Sequence, residues 1–355
     1  MKKLIPAILT ILLLTVGCKE QQQEFLSFTV DVSTDSSVLL SEIADQVDMI
    51  QLETNDDTFL NDIRQVELFD DYLLVKDVQP ELFVFDRQGN FIRKIGKSGQ
   101  GPGEYNNCTR FTLDYLNKRI LLKTNVGIMV YDIQGNFLEK YPPSVITDLF
   151  YNDNKFYSLE DIFYNEKDTY HQDTYFSIYN ANYNRMDSMR LRSYESGVMR
   201  VTFATGSRRI FLNNGDIYVH SPDLGLNNST SDTLYILSDN RLKTYASIKL
   251  THTQDESIHY IYPSGRYMIT TNNRLTDVPG SSIKQHHISH CIYDQKTREM
   301  RYAKDGVIDD IYDSGRRTIC PLHLQGSFYA VKEGELSEEM NTELNPTIYI
   351  GTFKK

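Results

Sequence analysis

Six copies of one two-strand pattern run through this chain, and few folds can accommodate them. One strand recurs as Leu82–Asp86 (LFVFD), Ile128–Asp132 (IMVYD), Tyr175–Tyr179 (YFSIY), Thr233–Leu237 (TLYIL), His290–Asp294 (HCIYD) and Thr347–Gly351 (TIYIG). The copies lie about 46 to 58 residues apart, near or somewhat above the repeat length of propeller blades. A second strand precedes each copy: DYLLVKD from Asp71, KRILLKT from Lys118, NKFYSLE from Asn154, GDIYVHS from Gly215, GRYMITT from Gly265 and GSFYAVK from Gly326. Short apolar runs bounded by turn residues suit strands covered on both faces, as in blades stacked against each other. The 24 tyrosines and 17 phenylalanines, with no tryptophan, supply flat side chains for such interfaces.

The pattern therefore predicts an all-β fold, a six-bladed β-propeller. Two turns share D-x-x-G-N, Asp86 to Asn90 and Asp132 to Asn136, with aspartate capping and glycine in the left-handed position. Candidate inner strands are Ile63–Phe69, Thr109–Tyr115, Ile146–Tyr151, Arg209–Asn213, Ile258–Tyr262 and Thr318–His323. The last copy ends almost at the C-terminus, so its outer strand must come from elsewhere. Phe25–Val32 (FLSFTVDV) alternates and is expected to close the ring as an N-terminal strand on the last blade. A pair of β-sandwiches would explain regular strands but not six matched pairs.

Residues 1–17 read as a secretory signal, with Lys2 and Lys3 ahead of an apolar run too short to span a bilayer comfortably. The run ends at Thr15-Val16-Gly17-Cys18, which resembles a bacterial lipobox, with Thr15 where that pattern prefers leucine. The resemblance implies lipidation at Cys18, a polar tether over 18–24, and one propeller over 25–355. The membrane would then be met through the lipid anchor alone. The expected location is the bacterial cell envelope, as an outer-membrane lipoprotein. The net charge of −11 falls to about −13 once the leader lysines are removed. Such acidity, without a basic stripe, argues against nucleic-acid binding.

The stretch LFVFDRQGNFIRKIGKSGQGPGEY (82–105) resembles a hallmark of the six-bladed β-propeller lipoproteins of Gram-negative gut anaerobes, relatives of NHL-repeat propellers. QVDMIQLET (46–54), SDTLYIL (231–237) and NPTIYIGTFKK (345–355) resemble that group's first-blade, fourth-blade and closing segments. The resemblance implies fold and anchoring, not a reaction.

Gly96, Gly99, Gly101 and Gly103 lack the following helix that a phosphate cradle needs, and read as a blade-to-blade crossover. Of His286, His287 and His290, an extended chain puts His286 and His290 on one face and His287 on the other, and two same-face histidines make a poor metal set. Cys108, Cys291 and Cys320 allow at most one disulfide and show no nucleophile context. Propellers take ligands at one mouth of the central channel. Candidates there are Arg64, Arg110 and Arg200, with Asp77, Asn125, Asp161, Asp223 and Asn273. Arginine can hold carboxylates or sugar hydroxyls through its forked donors. The leading expectation is a non-catalytic module with no cofactor, presenting Ser221–Thr230 and Thr271–Ser289 to a glycan, peptide or envelope protein. The alternatives are a metal-assisted, lactonase-like hydrolase or lyase, with a divalent cation such as calcium on those carboxylates and amides, and a purely structural envelope partner.

Overall fold

A computed structural model describes residues 25–60, 62–142, 145–166, 169–196, 208–221, 231–253, 256–277, 284–337 and 342–355. Six antiparallel sheets follow one another around a ring. From the axis outward, blade 1 is Gln65–Phe69, Tyr72–Lys76, Leu82–Asp86 and Phe91–Ile95. Blade 2 is Cys108–Asp114, Arg119–Thr124, Gly127–Asp132 and Phe137–Tyr141. Blade 3 is Ile146–Asn152, Lys155–Glu166, Thr169–Asn180 and Arg185–Ser196. Blade 4 is Ile210–Asn213, Asp216–His220, Ser231–Ser238 and Arg241–Thr251. Blade 5 is Glu256–Ser264, Tyr267–Asp277, Lys284–Asp294 and Glu299–Ala303. Blade 6 is Ile319–Pro321, Ser327–Lys332, Thr347–Phe353 and, last, Ala44–Gln51. Among the described residues the sole helix is one turn, Leu40–Ile43.

An N-terminal strand closes the ring, as the pattern requires, but it is not Phe25–Val32. Ala44–Gln51 pairs antiparallel with Thr347–Phe353. Leu26–Asp31 instead lies parallel on the outer strand of blade 4. The segment 46–54, expected in the first blade, is thus largely the outer edge of the last one. The closing strand buries Ala44, Val47 and Ile50, every third residue, with a register shift between Ala44 and Gln46. That spacing lacks the two-residue alternation by which a strand is recognised.

The two N-terminal strands and the link between them form a belt. It crosses blade 5, where the Ser36 N–H donates to the Tyr302 carbonyl at 2.8 Å. Glu42 then pairs with Arg301 at 2.6 Å. Val30, Val38, Leu40, Ile43 and Val47 of the belt join the apolar layers of blades 4, 5 and 6 into one continuous cluster. Each such aliphatic side chain contributes roughly 1.5–3 kcal/mol when fully buried. The remaining junctions hold separate layers, such as the one between blades 1 and 2 around Phe69, Phe111 and Tyr131.

Polar side chains join the blades near the axis. Every inner strand is an edge strand, so some of its N–H groups lack a ladder partner. Gln65 Oε1 accepts the Phe111 N–H at 3.3 Å, and Thr112 Oγ1 that of Tyr151 at 3.1 Å. Asp148 Oδ2 accepts from Arg209 and Ile210 at 2.6 and 3.1 Å. His220 Nδ1 accepts from Ile261 at 3.3 Å, and His290 Nε2 from Ile319 at 3.2 Å. Glu67 Oε2 completes the circle by accepting the His323 N–H at 2.7 Å. All six blade junctions carry such a bond.

The D-x-x-G-N turns repeat as expected. The Asp86 and Asp132 carboxylates accept the N–H groups of Asn90 and Asn136 at 2.9 and 2.8 Å. Gly89 and Gly135 have φ of +91° and +88°. A Cβ on Gly89 would lie 2.1 Å from the Gln51 carbonyl oxygen of the closing strand, whereas one on Gly135 meets nothing nearer than 3.6 Å. Gly135→Ala is therefore expected to cost about 1–2 kcal/mol of left-handed strain. Gly89→Ala must also displace the closing strand and is expected to cost roughly 3 kcal/mol or more. Urea unfolding of both variants checks the difference, and equal costs would contradict the closure contact.

His290 supplies the second test. Its Nδ1 lies 2.8 Å from the Thr270 carbonyl, so Nδ1 carries the proton and Nε2 accepts from Ile319. Burial pulls its pKa down to about 4, opposed by the Thr270 bond. Below about pH 6.5 the unfolded histidine takes up a proton that the folded one refuses, so stability falls as pH drops from 6.5 toward 4. The loss from His290 is expected to reach about 2 kcal/mol by pH 5. His290→Gln should flatten that slope in urea titrations at pH 7.5, 6 and 5, and an unchanged slope would rule the mechanism out.

Candidate functional site

Charges interrupt inner strands that otherwise read apolar: Glu67 in QVELF, Arg110 in CTRFTLD, Asp148 in ITDLFYN, and Arg208-Arg209 ahead of IFLN. All six inner strands run the same way, so their entries share one end of the channel, here called the mouth. The links between second and third strands lie at the same end.

Toward the far end the channel is plugged. The His323 ring of blade 6 stacks on Phe150 of blade 3, with centroids 4.8 Å apart and planes 18° off parallel. Tyr115 of blade 2 closes the third side at 5.0 Å, its hydroxyl donating to the Leu68 carbonyl at 2.8 Å. Burial, and then the charge of Arg208, holds His323 well below the usual histidine range, so this plug is neutral. Above it Glu67 of blade 1 meets Arg208 of blade 4 across the axis. Burial pushes Glu67 above the usual carboxylate range, against the pull of Arg208. A cavity of about 20 Å³ remains beside this pair, lined by Gln65, Tyr260, Tyr262 and Cys320 among others. It has room for about one water molecule.

Nearer the mouth, Arg110 pairs with Asp148 at 3.3 Å, and both are nearly fully buried. Lys123 lies in register with Arg110 on the adjacent strand. Burial and then the Arg110 guanidinium hold its ammonium below the usual lysine range, with Arg209 adding to the effect.

The predicted candidates fare unevenly. Arg110 belongs to this charged cluster. Arg64 pairs with Asp62 and is half-exposed. Asp77 accepts from Gln79, through its N–H at 2.8 Å and its side-chain amide at 2.9 Å. Asn125 accepts the N–H groups of Asn106 and Asn107, both at 3.2 Å. Asp161 accepts from Thr174 at 2.6 Å, and Asn273 pairs with His286 at 3.1 Å. Each of these is tied to its own turn or strand pair. Cys18, Arg200 and Asp223 lie outside the described residues, as does nearly all of Ser221–Thr230. Thr271–Ser289 is not a loop but largely two arms of a long hairpin.

Other sequence readings resolve directly. The glycine-rich segment wraps around buried Tyr105, whose hydroxyl donates to the Ile95 carbonyl at 3.1 Å. Cys108, Cys291 and Cys320 are free, and burial pushes each thiol up to about 11. Among the described residues no group of three or more His, Cys, Asp or Glu is placed to hold a metal ion. Sequence reasoning missed Glu67, Lys123, Asp148, Arg208, Arg209 and His323 as channel residues. For Glu67 and Asp148 the available signal was a charge inside an inner strand, where an apolar residue would cost nothing to bury.

At the mouth end, blade 3 carries a hairpin whose arms, Lys155–Glu166 and Thr169–Asn180, are each 12 residues long. Ile162, Phe163 and Tyr164 are all exposed. Consecutive strand residues point to opposite faces, so this stretch stands clear on both sides. Tyr164 stacks on His171, with centroids 4.8 Å apart and planes 7° off parallel.

The fold and channel define a six-bladed β-propeller, plugged at one end and charged at the mouth. Residues 25–348 match a family described as a domain of unknown function, DUF4934, and the chain belongs to that family. No curated protein matches the sequence. Among solved structures, a protein of Bacteroides fragilis NCTC 9343 whose description names it an exported-protein candidate is 15% identical, with a TM-score of 0.67, covering 94% of this chain and all of its own. That likeness supports the fold. Hydrazine synthase of Kuenenia stuttgartiensis is 10% identical at a TM-score of 0.47, covering 78% of this chain and 77% of its own. A protein of unknown function from Bacteroides caccae is 13% identical at 0.41, covering 76% and 85%.

The Glu67–Arg208 pair is testable by stability. Glu67→Ala leaves a buried guanidinium uncompensated and is expected to cost about 3–5 kcal/mol. Glu67→Leu with Arg208→Met should cost distinctly less, since no buried charge is left alone. Additive losses in a double-mutant cycle would show that the two do not interact.

Proposed function

We propose that this protein is an envelope-anchored lipoprotein acting as a non-catalytic binding propeller. The carrying observation is the blade 3 hairpin, which holds Ile162, Phe163 and Tyr164 exposed on both faces at the mouth end. Large apolar side chains kept in water beside a rigid ring are a feature of recognition surfaces. The aromatic surface around Tyr164 and His171 suits a sugar face or an extended peptide, which sets glycan or peptide ahead of an envelope protein. The leader and Cys18 support export and acylation, and the Bacteroides fragilis neighbour is itself described as an exported-protein candidate. A kinship with NHL-repeat propellers rests on the 82–105 motif.

The test is retention of the full chain, in non-ionic detergent, on arrayed glycans and peptides. Phe163→Asp combined with Tyr164→Asp is expected to weaken retention by about tenfold or more, as loss of an aromatic anchor does. The unfolding midpoint should stay nearly unchanged, because both side chains are exposed. Retention that survives the substitution overturns the reading. EDTA and calcium are expected to have no effect, and a calcium-dependent signal would point to the metal-assisted enzyme instead.

A further inference from the structure

Arg209 is 1% exposed, yet its Nε and Nη2 have no hydrogen-bond partner among the described residues. These two nitrogens carry parallel N–H bonds along one edge of the guanidinium plane. That edge receives two oxygens of a carboxylate or phosphate. Arginine does not shed its proton at ordinary pH, so burial cannot be relieved by neutralisation. Buried charged donors left unmade are costly, and a native site that keeps them needs a reason.

The same edge is filled elsewhere in this protein. Arg119 places its Nε and Nη2 on Asp114 Oδ2 at 2.9 and 2.7 Å. At Arg209 the local carboxylate is already committed. Asp148 gives Oδ2 to the N–H groups of Arg209 and Ile210 and Oδ1 to the Arg110 guanidinium. The Arg110 guanidinium and the backbone N–H groups of Arg209 and Ile210 thus take up this one carboxylate, leaving no oxygen of it for the Arg209 side chain. Lys123 stands in register with Arg110 on the adjacent strand, and burial, then the charge of Arg110, with that of Arg209 added, holds its ammonium below the usual lysine range. The cluster reaches solvent at the mouth, where Lys123 Nζ donates at 3.0 Å to Thr109, an exposed residue.

We propose that the free edge of Arg209, flanked by Arg110 and Lys123, is a subsite for a single oxyanion group, carboxylate or phosphate, carried by the ligand bound at the mouth. The subsite rests on the mouth being the ligand-binding face. It adds that the ligand is anionic and enters with its charged end toward the axis.

The experiment measures binding of inorganic phosphate and of N-acetylglycine to the full chain in non-ionic detergent, in a buffer free of other carboxylates and phosphates. Calorimetry and the unfolding midpoint are the readouts. One of the two anions is expected to bind saturably and raise the midpoint by mass action. Phosphate binding alone marks a phosphorylated ligand, and N-acetylglycine binding alone a carboxylate. Arg209→Lys keeps the charge but loses the fork, and should weaken binding by about tenfold or more. Lys123→Gln, at the rim, should weaken it by about three- to tenfold. Should Arg209→Lys fail to fold, Lys123→Gln decides, and unchanged affinity in that variant overturns the subsite. Failure of both anions to bind also overturns it. Array retention unaffected by Arg209→Lys removes the subsite while leaving the binding reading intact.

Discussion

Six sheets that converge on one axis bring six strand edges together, and a strand edge carries backbone N–H groups with no ladder partner. Near the axis no further strand among the described residues pairs with those edges. This chain meets the constraint with one acceptor side chain at each junction: Gln65, Thr112, Asp148, His220, His290 and Glu67. The acceptors differ chemically, but each takes a backbone N–H in or beside the inner strand of an adjoining blade. Unmade bonds at buried amides cost more than made ones gain, so these contacts specify how the blades seat as much as they stabilise them.

The charge of the channel follows from that arrangement. Two of the six acceptors are carboxylates, and a buried carboxylate needs a cation. Arg208 answers Glu67 across the axis, and Arg110 answers Asp148 between neighbouring blades. The His323, Phe150 and Tyr115 stack then seals the far end without adding charge. The centre is thereby a packed core rather than a pore. Arg209 departs from this pairing, since two of its buried donors have no acceptor among the described residues.

The belt formed by residues 25–51 has a different role. It covers the outer edge of blade 4, crosses blade 5 and becomes the outer strand of blade 6. Exposed sheet edges invite pairing with other chains, and this route covers two of them with one segment. It also ties the start of the chain to its end, so the ring cannot open without breaking a seven-residue ladder between Ala44–Gln51 and Thr347–Phe353.

The blade count, the strand pairs, the D-x-x-G-N turns and the position of every inner strand were legible in the sequence, because local periodicity and turn chemistry are written into adjacent residues. The site was legible only in part. Arg110 was recognised as a channel residue, whereas Asp77, Asn125 and Asp161 proved to be engaged locally in caps and a strand-pair hydrogen bond. Glu67, Asp148 and Arg209 were missed because their partners lie in other blades. What the sequence alone determined is the repeat, hence six sheets and an expectation of closure by a strand from the N-terminus. The tertiary structure decided which strand closes the ring, which charges meet across the axis and which donors lack partners among the described residues. Those outcomes depend on contacts between residues far apart in the chain, and no local pattern encodes which distant edge or charge a segment will meet.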